Sequence, residues 1–338
     1  MQRHLDVSRT RYLPAVSGDG FVLEAGEPLG AGLQRISIEQ LDGALRGLAA
    51  GTDLDDAIHN TRKALKRLRA VLRLVRFQVG ERVYRYENKT LRDAARALAP
   101  VRDGAVAVHT VTTLAARFEG SLPVDVFDDL AERLDLRAVR LRARVVDETD
   151  AVPRLVTTLE RARARFAGWP VTEGEKKAYG TVIGDGFDAI GPGLALTYGR
   201  GRLEMKRAFG STTADNHHLW RKRVKYLRHQ MEVLQPLWPE VVGATALSLD
   251  RLGELLGEEH DLATLLDLLA VDGGMCPDPV ERALFAALAQ HRRSELQAAA
   301  RVLGTRIYFE KANQYAARIE AYWDSNRLPL PVGFLPVS

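Results

Sequence analysis

His59-Asn-Thr-Arg62-Lys63-Ala-Leu-Lys66-Arg67-Leu-Arg69 and His218-Leu-Trp-Arg221-Lys222-Arg-Val-Lys225-Tyr-Leu-Arg228 are one pattern, H-x-x-R-K-x-x-K-x-L-R, met twice in a single chain. The copies stand 159 residues apart. Both are dense in one sign of charge: seven Lys/Arg and no acid lie between His59 and Arg76, and five Lys/Arg, three histidines and no acid between His217 and His229. At roughly 100° per residue, His59, Arg62, Lys63, Lys66, Arg69 and Arg73 fall in one helical stripe about 120° wide. Leu65, Leu68, Val71, Leu72 and Val75 fall opposite, an apolar stripe that must pack inward. The second copy places His218, Arg221, Lys222, Lys225, Arg228 and His229 on one face against Trp220, Val224, Leu227, Met231 and Leu234. Glu232 takes the place of Arg73, so that stripe is shorter. A solvated helix face ordinarily mixes signs, because like charges at i,i+4 repel by a few tenths of a kcal/mol. Two unmixed stripes therefore predict an anionic partner.

Working outward, helical periodicity extends over nearly all of the remaining chain. It begins near Pro28, continues to Leu48 and breaks at Gly51, and Asp53 is placed to cap the first basic helix. Further helices are expected over 82–118, 124–147 and 152–167, and Gly168-Trp169-Pro170 closes the first half. The second half replays the order: a helix over 198–209, the second basic helix ended by Pro236 and Pro239, a helix over 241–270, a Gly/Pro turn, and long helices over 280–323. No convincing long strand is found, so the fold class is all-α. The expected organisation is an N-terminal extended arm or hairpin (1–26), a first helical-bundle half (27–170), a linker (171–179), a second half (180–323) and an extended tail (324–338). The match of Leu98-Ala-Pro-Val-Arg102-Asp103 to Leu256-Gly-Glu-Glu-His260-Asp261, at nearly the same distance after each motif, supports an internal duplication. So does the 14-residue spacing of Arg140 from Arg154 and of Arg292 from Arg306.

Composition narrows the function classes. The 338 residues are 46% hydrophobic and only 7% aromatic, with 48 Lys/Arg against 44 Asp/Glu. The net charge of +4 conceals segregation, since acids gather elsewhere, as in 125–132 and 254–261. A focused anion groove follows rather than general stickiness. A single cysteine, Cys276, excludes an intramolecular disulfide and a Cys-rich metal site. No run reaches membrane-spanning length and the start lacks a signal-peptide core, so a cytoplasmic protein without membrane partners is expected.

Four ordered motifs together resemble the CHAD family, the conserved-histidine α-helical domain, over about residues 27–325: the two basic runs, the Arg102-Asp103 pair and its counterpart His260-Asp261. The resemblance implies two four-helix bundles related by a pseudo-two-fold axis, with a basic groove or pore between them. It further implies binding of inorganic polyphosphate and association with polyphosphate granules and their components. Gly104 and Ala105 stand where members often carry a second acid, so no metal is expected there, and no cofactor is expected elsewhere.

The candidate anion-binding set comprises His59, Arg62, Lys63, Lys66, Arg69, Arg73 and Arg102, with His218, Arg221, Lys222, Lys225, Arg228, His229 and His260. Arg140, Arg144, Arg202, Lys206, Arg292 and Arg306 complete it from neighbouring helices. Arg supplies a planar fork for phosphate oxygens and Lys a compact charge. The two opening histidines could contact phosphate, support the groove wall, join an interhelical hydrogen-bond network or ligate metal, although no H-x-x-x-H or H-E-x-x-H spacing accompanies them. An enzyme is not expected: Walker loop, nucleophile elbow and paired-acid arrangements are absent, and Glu173-Gly-Glu175-Lys176 falls one residue short of the E-x-E-x-K of triphosphatase tunnels. Nucleic-acid backbone binding is the alternative reading, as is an accessory role in a triphosphate-processing system. Neither basic face shows aromatics set for base stacking, and Asn and Gln for base edges are almost absent from them.

Overall fold

A computed structural model describes residues 20–50, 53–120, 124–146, 149–171 and 182–326. They form helices α1 (Leu29–Ala50), α2 (Leu54–Leu74), the single turn α3 (Arg76–Val79), α4 (Glu81–Ala97), α5 (Ala99–Arg117), α6 (Val124–Val146) and α7 (Ala151–Ala167) in the first half. The second half supplies α8 (Gly191–Gly210), α9 (Ala214–Val233), α10 (Pro239–Val271), α11 (Pro279–Ile307) and α12 (Ala312–Asn326). No strand occurs among the described residues, and none of their helices is long and apolar enough to cross a membrane. The fold is all-α.

The two basic motifs are α2 and α9, and each starts where its sequence caps it. Asp53 accepts hydrogen bonds from the backbone N–H of Asp55 and Asp56 at 3.0 and 3.1 Å, and the acids Asp55 and Asp56 sit favourably at the positive end of the helix. Thr213 caps α9 through the Asn216 N–H at 3.3 Å. The apolar stripes are buried as the periodicity predicts: Leu65, Leu68, Val71 and Leu72 in α2, Val75 at its end, and Trp220, Val224, Leu227 and Met231 in α9, are fully shielded from solvent. Each buried aliphatic side chain contributes about 1.5–3 kcal/mol of transfer energy, so the charged stripes are forced to the other face.

Set in chain order against the first half, the second half differs in two places: α3 has no α-helical counterpart, and the segment that follows the basic helix is split only in the first half. The expected single helix over 82–118 is broken at Leu98 into α4 and α5, because Pro100 has no N–H to continue the ladder and is tolerated only in the first turn of a new helix. The matching segment carries Glu258 in that place, and α10 runs through it uninterrupted.

The cores do not follow the halves. The larger hydrophobic cluster joins α1, α2, α4 and α7 to α8, α9, the first part of α10 and α12; the smaller joins α5 and α6 to the far end of α10 and to α11. At the centre α2 and α9 pass in opposite directions, with Arg67 close to His229 and Glu232, and Arg73 close to Arg223 and Tyr226. Buried Gln230 of α9 pins the crossing by donating to the Ala70 carbonyl of α2 and the Thr197 hydroxyl of α8, each at 3.2 Å. Of the expected N-terminal arm only 20–26 is described. It is non-helical, with Phe21 and Leu23 buried and the Leu23 N–H donating to the Val233 carbonyl at 3.1 Å. Residues 1–19, 172–181 (which hold most of the expected linker and the near-miss acidic motif) and 327–338 lie outside the described residues.

Candidate functional site

The α2–α9 crossing brings the two repeats face to face. Lys66 and Lys225, equivalent positions in the motif, come close enough at the crossing to repel each other. Arg62 and Arg102 stand beside Lys66, and Arg221 stands beside both lysines. Asp103 of α5 and Asp261 of α10 lie beside the same cations, close enough to repel one another. Charge compensation is thin: Arg221 reaches Asp261 only at 4.0 Å, and Arg62 spends one Nη on the Ala95 carbonyl at 2.7 Å. Neither Lys66 nor Lys225 makes a hydrogen bond or ion pair among the described residues.

The electrostatic result follows. Burial, reinforced by Arg62, Arg221 and Arg102, pushes the Lys66 ammonium down to about 8; burial, reinforced by Arg221 and Lys66, pushes Lys225 down to about 7. Burial likewise raises the Asp103 and Asp261 carboxyls, against the pull of Arg62 and Arg221 respectively. The site is thus short of negative charge and holds its lysines near their deprotonation point.

The opening histidines occupy different surroundings. His59 is exposed, and its imidazole is lowered by burial of part of the ring and by the charge of Arg102. His218 stacks obliquely on His260, which replaces Arg102 in the second half, with ring centroids 4.2 Å apart. Burial first, then the neighbouring cations, push both down to about 4, and the His218 Nδ1 is buried with no hydrogen-bond partner. No group of three metal-ligating side chains occurs among the described residues. Gly104, where an extra acid might have extended the site, is taken up by packing, since a Cβ there would lie 2.8 Å from that of Ala138 in α6.

From the centre the cations continue along α2. Arg69 and Arg73 both donate to the Asn88 side-chain carbonyl at 3.1 Å, and their guanidinium groups stand 5.6 and 3.7 Å from the centre of the Tyr226 ring. Lys222 is exposed beside Arg69 and Arg96, and Lys63 is exposed on the same side of α2. Tyr226 is an aromatic that the stripe reading did not place at the groove. It is buried beneath Arg73, unavailable to stack on a base.

Other members of the candidate set are engaged elsewhere. Arg228 pairs with Glu232 at 2.8 Å and Asp250 at 2.5 Å, and buried His229 bonds the other Glu232 oxygen at 2.8 Å, so the second stripe ends in a neutralised network. Arg292 is clamped by Glu258 at 2.7 and 3.0 Å and by Glu295 at 2.9 Å. Arg202 donates to the Tyr308 carbonyl at 3.1 Å, tying α8 to the end of α11. Arg140, Arg144, Lys206 and Arg306 are exposed on α6, α8 and α11, and no contact brings them to the groove. Residues that the stripe logic missed are Asp103 and Asp261 beside the central cations, and Arg92 and Arg96 as further arginines of α4, of which Arg96 lies beside Lys222. The acids were signalled by the Arg-Asp and His-Asp motifs; the arginines carried no signal apart from their charge.

The fold and site define a class: an all-helical protein in which two helices carrying the same basic motif cross. The chain belongs to the CHAD domain family, whose family model matches residues 35–270. No curated protein matches the sequence. Among solved structures it is similar to PptA from Streptomyces chartreusis, with a TM-score of 0.57 at 16% identity, over 86% of this chain and 100% of that one. At that identity the likeness concerns the fold alone.

Proposed function

We propose that this protein binds inorganic polyphosphate along the α2–α9 groove, as a binding module and not as an enzyme. The observation that carries this reading is the pair of half-buried lysines, Lys66 and Lys225, which face each other across the crossing, make no close ion pair, and are flanked by Arg62, Arg102 and Arg221 with only Asp103 and Asp261 as nearby acids. Buried charge without a partner is costly, and a polyanion laid in the groove would supply one. Polyphosphate suits the geometry because it carries about one charge per phosphate with no base or sugar to house. Each charge-assisted hydrogen bond would contribute about 1.5–3 kcal/mol before screening, and the track sums several of them. In the empty state Asp103 and Asp261 hold part of the cation charge, and a phosphate chain would take over that role. Placement in the cytoplasm and on polyphosphate granules, among their components, belongs to the same reading, through the family resemblance.

Retention on immobilised long-chain polyphosphate tests it. The wild-type chain is expected to be retained near physiological salt, and Lys66→Gln with Lys225→Gln to be largely released while keeping its helical circular dichroism. Wild-type-like retention by that variant contradicts the proposal.

A further inference from the structure

The cation track divides unequally at its two ends. Towards α10 it closes on acid, through Arg228, Glu232, Asp250 and His229. Towards α8 it opens into a small cleft lined by Arg73, Arg76, Arg200 and Arg223, with Tyr226 as one wall. Gly193 lets α8 rest on the Arg73 and Leu74 carbonyls, where any Cβ would collide. Of the four arginines, only Arg76 has a carboxylate partner among the described residues, Glu81 at 2.7 Å. The Nε atoms of Arg73, Arg76 and Arg223 are buried with no hydrogen-bond partner, and Arg73 is only 8% exposed. The cleft is continuous with the groove, because Arg69 and Arg73 share Asn88 and the Tyr226 ring, and Lys222 lies beside both Arg69 and Arg223.

We propose that this four-arginine cleft seats the terminal phosphate of a polyphosphate chain, so that the bound chain has a fixed end and a direction. The inference rests on the polyphosphate reading above and adds to it a preference for chain ends. An internal phosphate offers two non-bridging oxygens and about one charge. A terminal one offers three and, like a phosphomonoester, between about −1.5 and −2 near pH 7. Four guanidinium groups against one carboxylate leave three positive charges around one small space, more than an internal phosphate would balance. The space admits about one water-sized atom group, so a phosphate oxygen would enter it while exposed Arg200 closes on the remaining oxygens from outside.

The test compares long polyphosphate with the same polyphosphate whose two terminal phosphates are blocked as amidates, titrated into the full chain at matched phosphate. Wild type is expected to bind the open-ended chain at least about tenfold more tightly, the effect of one charge-assisted hydrogen bond. Arg200→Gln with Arg223→Gln should erase that preference while holding the blocked chain as well as wild type does. Arg200 is exposed, so Arg200→Gln alone gives the same reading should loss of Arg223 impair folding. Equal wild-type affinity for the two chains overturns the end seat, as does a variant that loses affinity for both equally. Failure of wild type to bind either chain overturns the polyphosphate reading itself.

Discussion

Raising the pH from 7 to 9 should release polyphosphate from this protein, and the structure sets the size of the effect. In the empty groove Lys225 is held at about 7 and Lys66 at about 8 by burial and by the cations around them. A bound phosphate chain supplies the missing anion, which returns both ammonium groups towards the ordinary lysine value near 10.4. The sign follows from linkage: the complex holds protons that the empty protein gives up. Affinity is therefore fully present below about 7 and falls as pH rises through the two empty-groove values. With both lysines restored on binding, the loss between pH 7 and 9 is about 50-fold from Lys225 and about tenfold from Lys66, a ceiling on the order of 500-fold. At pH 7.5 the two deprotonated fractions sum to about one proton taken up per binding event. Calorimetry with long polyphosphate, in buffers of different ionisation enthalpy, reads that proton directly, and long chains keep the titration of their ends negligible. Lys66→Gln with Lys225→Gln should remove the uptake. Flat affinity from pH 7 to 9 with no proton uptake would refute the reasoning.

Three further outcomes follow from the same geometry. Lys66→Met with Lys225→Met removes two half-buried ammonium groups that make no close ion pair, so thermal unfolding should show a gain of about 1–3 kcal/mol while binding is lost; a lowered melting temperature would mean the lysines support the fold. Arg69→Glu and Arg228→Glu, equivalent in the repeat, should differ: the first weakens polyphosphate retention with little effect on stability, whereas the second breaks the pairs to Glu232 and Asp250 and should cost about 2 kcal/mol or more in denaturant titration. Equal behaviour of the two would argue against the neutralised second end. Gly104→Val forces α5 away from Ala138 and should destabilise by about 1–3 kcal/mol, and an unchanged unfolding midpoint would show that the helices part freely.

The helix pair that carries the groove was legible because its information is local. A 3.6-residue stripe of leucines fixes the inward face of α2, and Asp53 fixes its start, whatever else the chain does. The pairing of Arg62, Lys66 and Arg102 with Arg221 and Lys225 was legible only as a repeat, since periodicity says which face is charged and not what it meets. What sequence could not give were the tertiary counter-charges. Glu232 lies three residues from His229 and four from Arg228 and could be seen as a neighbour, but Asp250 and Glu258 come from α10 and remove Arg228 and Arg292 from the anion's reach. Pro100 was visible, yet the helix was read through it, because a proline in a first turn and one in a helix interior look alike until the break is placed. The depressed lysines needed three dimensions altogether, as they depend on burial by two helices far apart in sequence.

The central claim, that this groove is built for a bare phosphate chain, is tested most directly by one competition titration. Long polyphosphate, single-stranded DNA and triphosphate would compete at matched phosphate concentration and near-physiological salt for the wild-type protein. The account predicts that polyphosphate binds most tightly, that DNA is much weaker because Tyr226 is covered and neither basic stripe carries aromatics set for base stacking, and that triphosphate is weak because it fills only part of the track. It also predicts that polyphosphate affinity falls steeply with added salt, as cations are released from the chain. DNA binding as tight as polyphosphate, or a salt-insensitive isotherm, would contradict it.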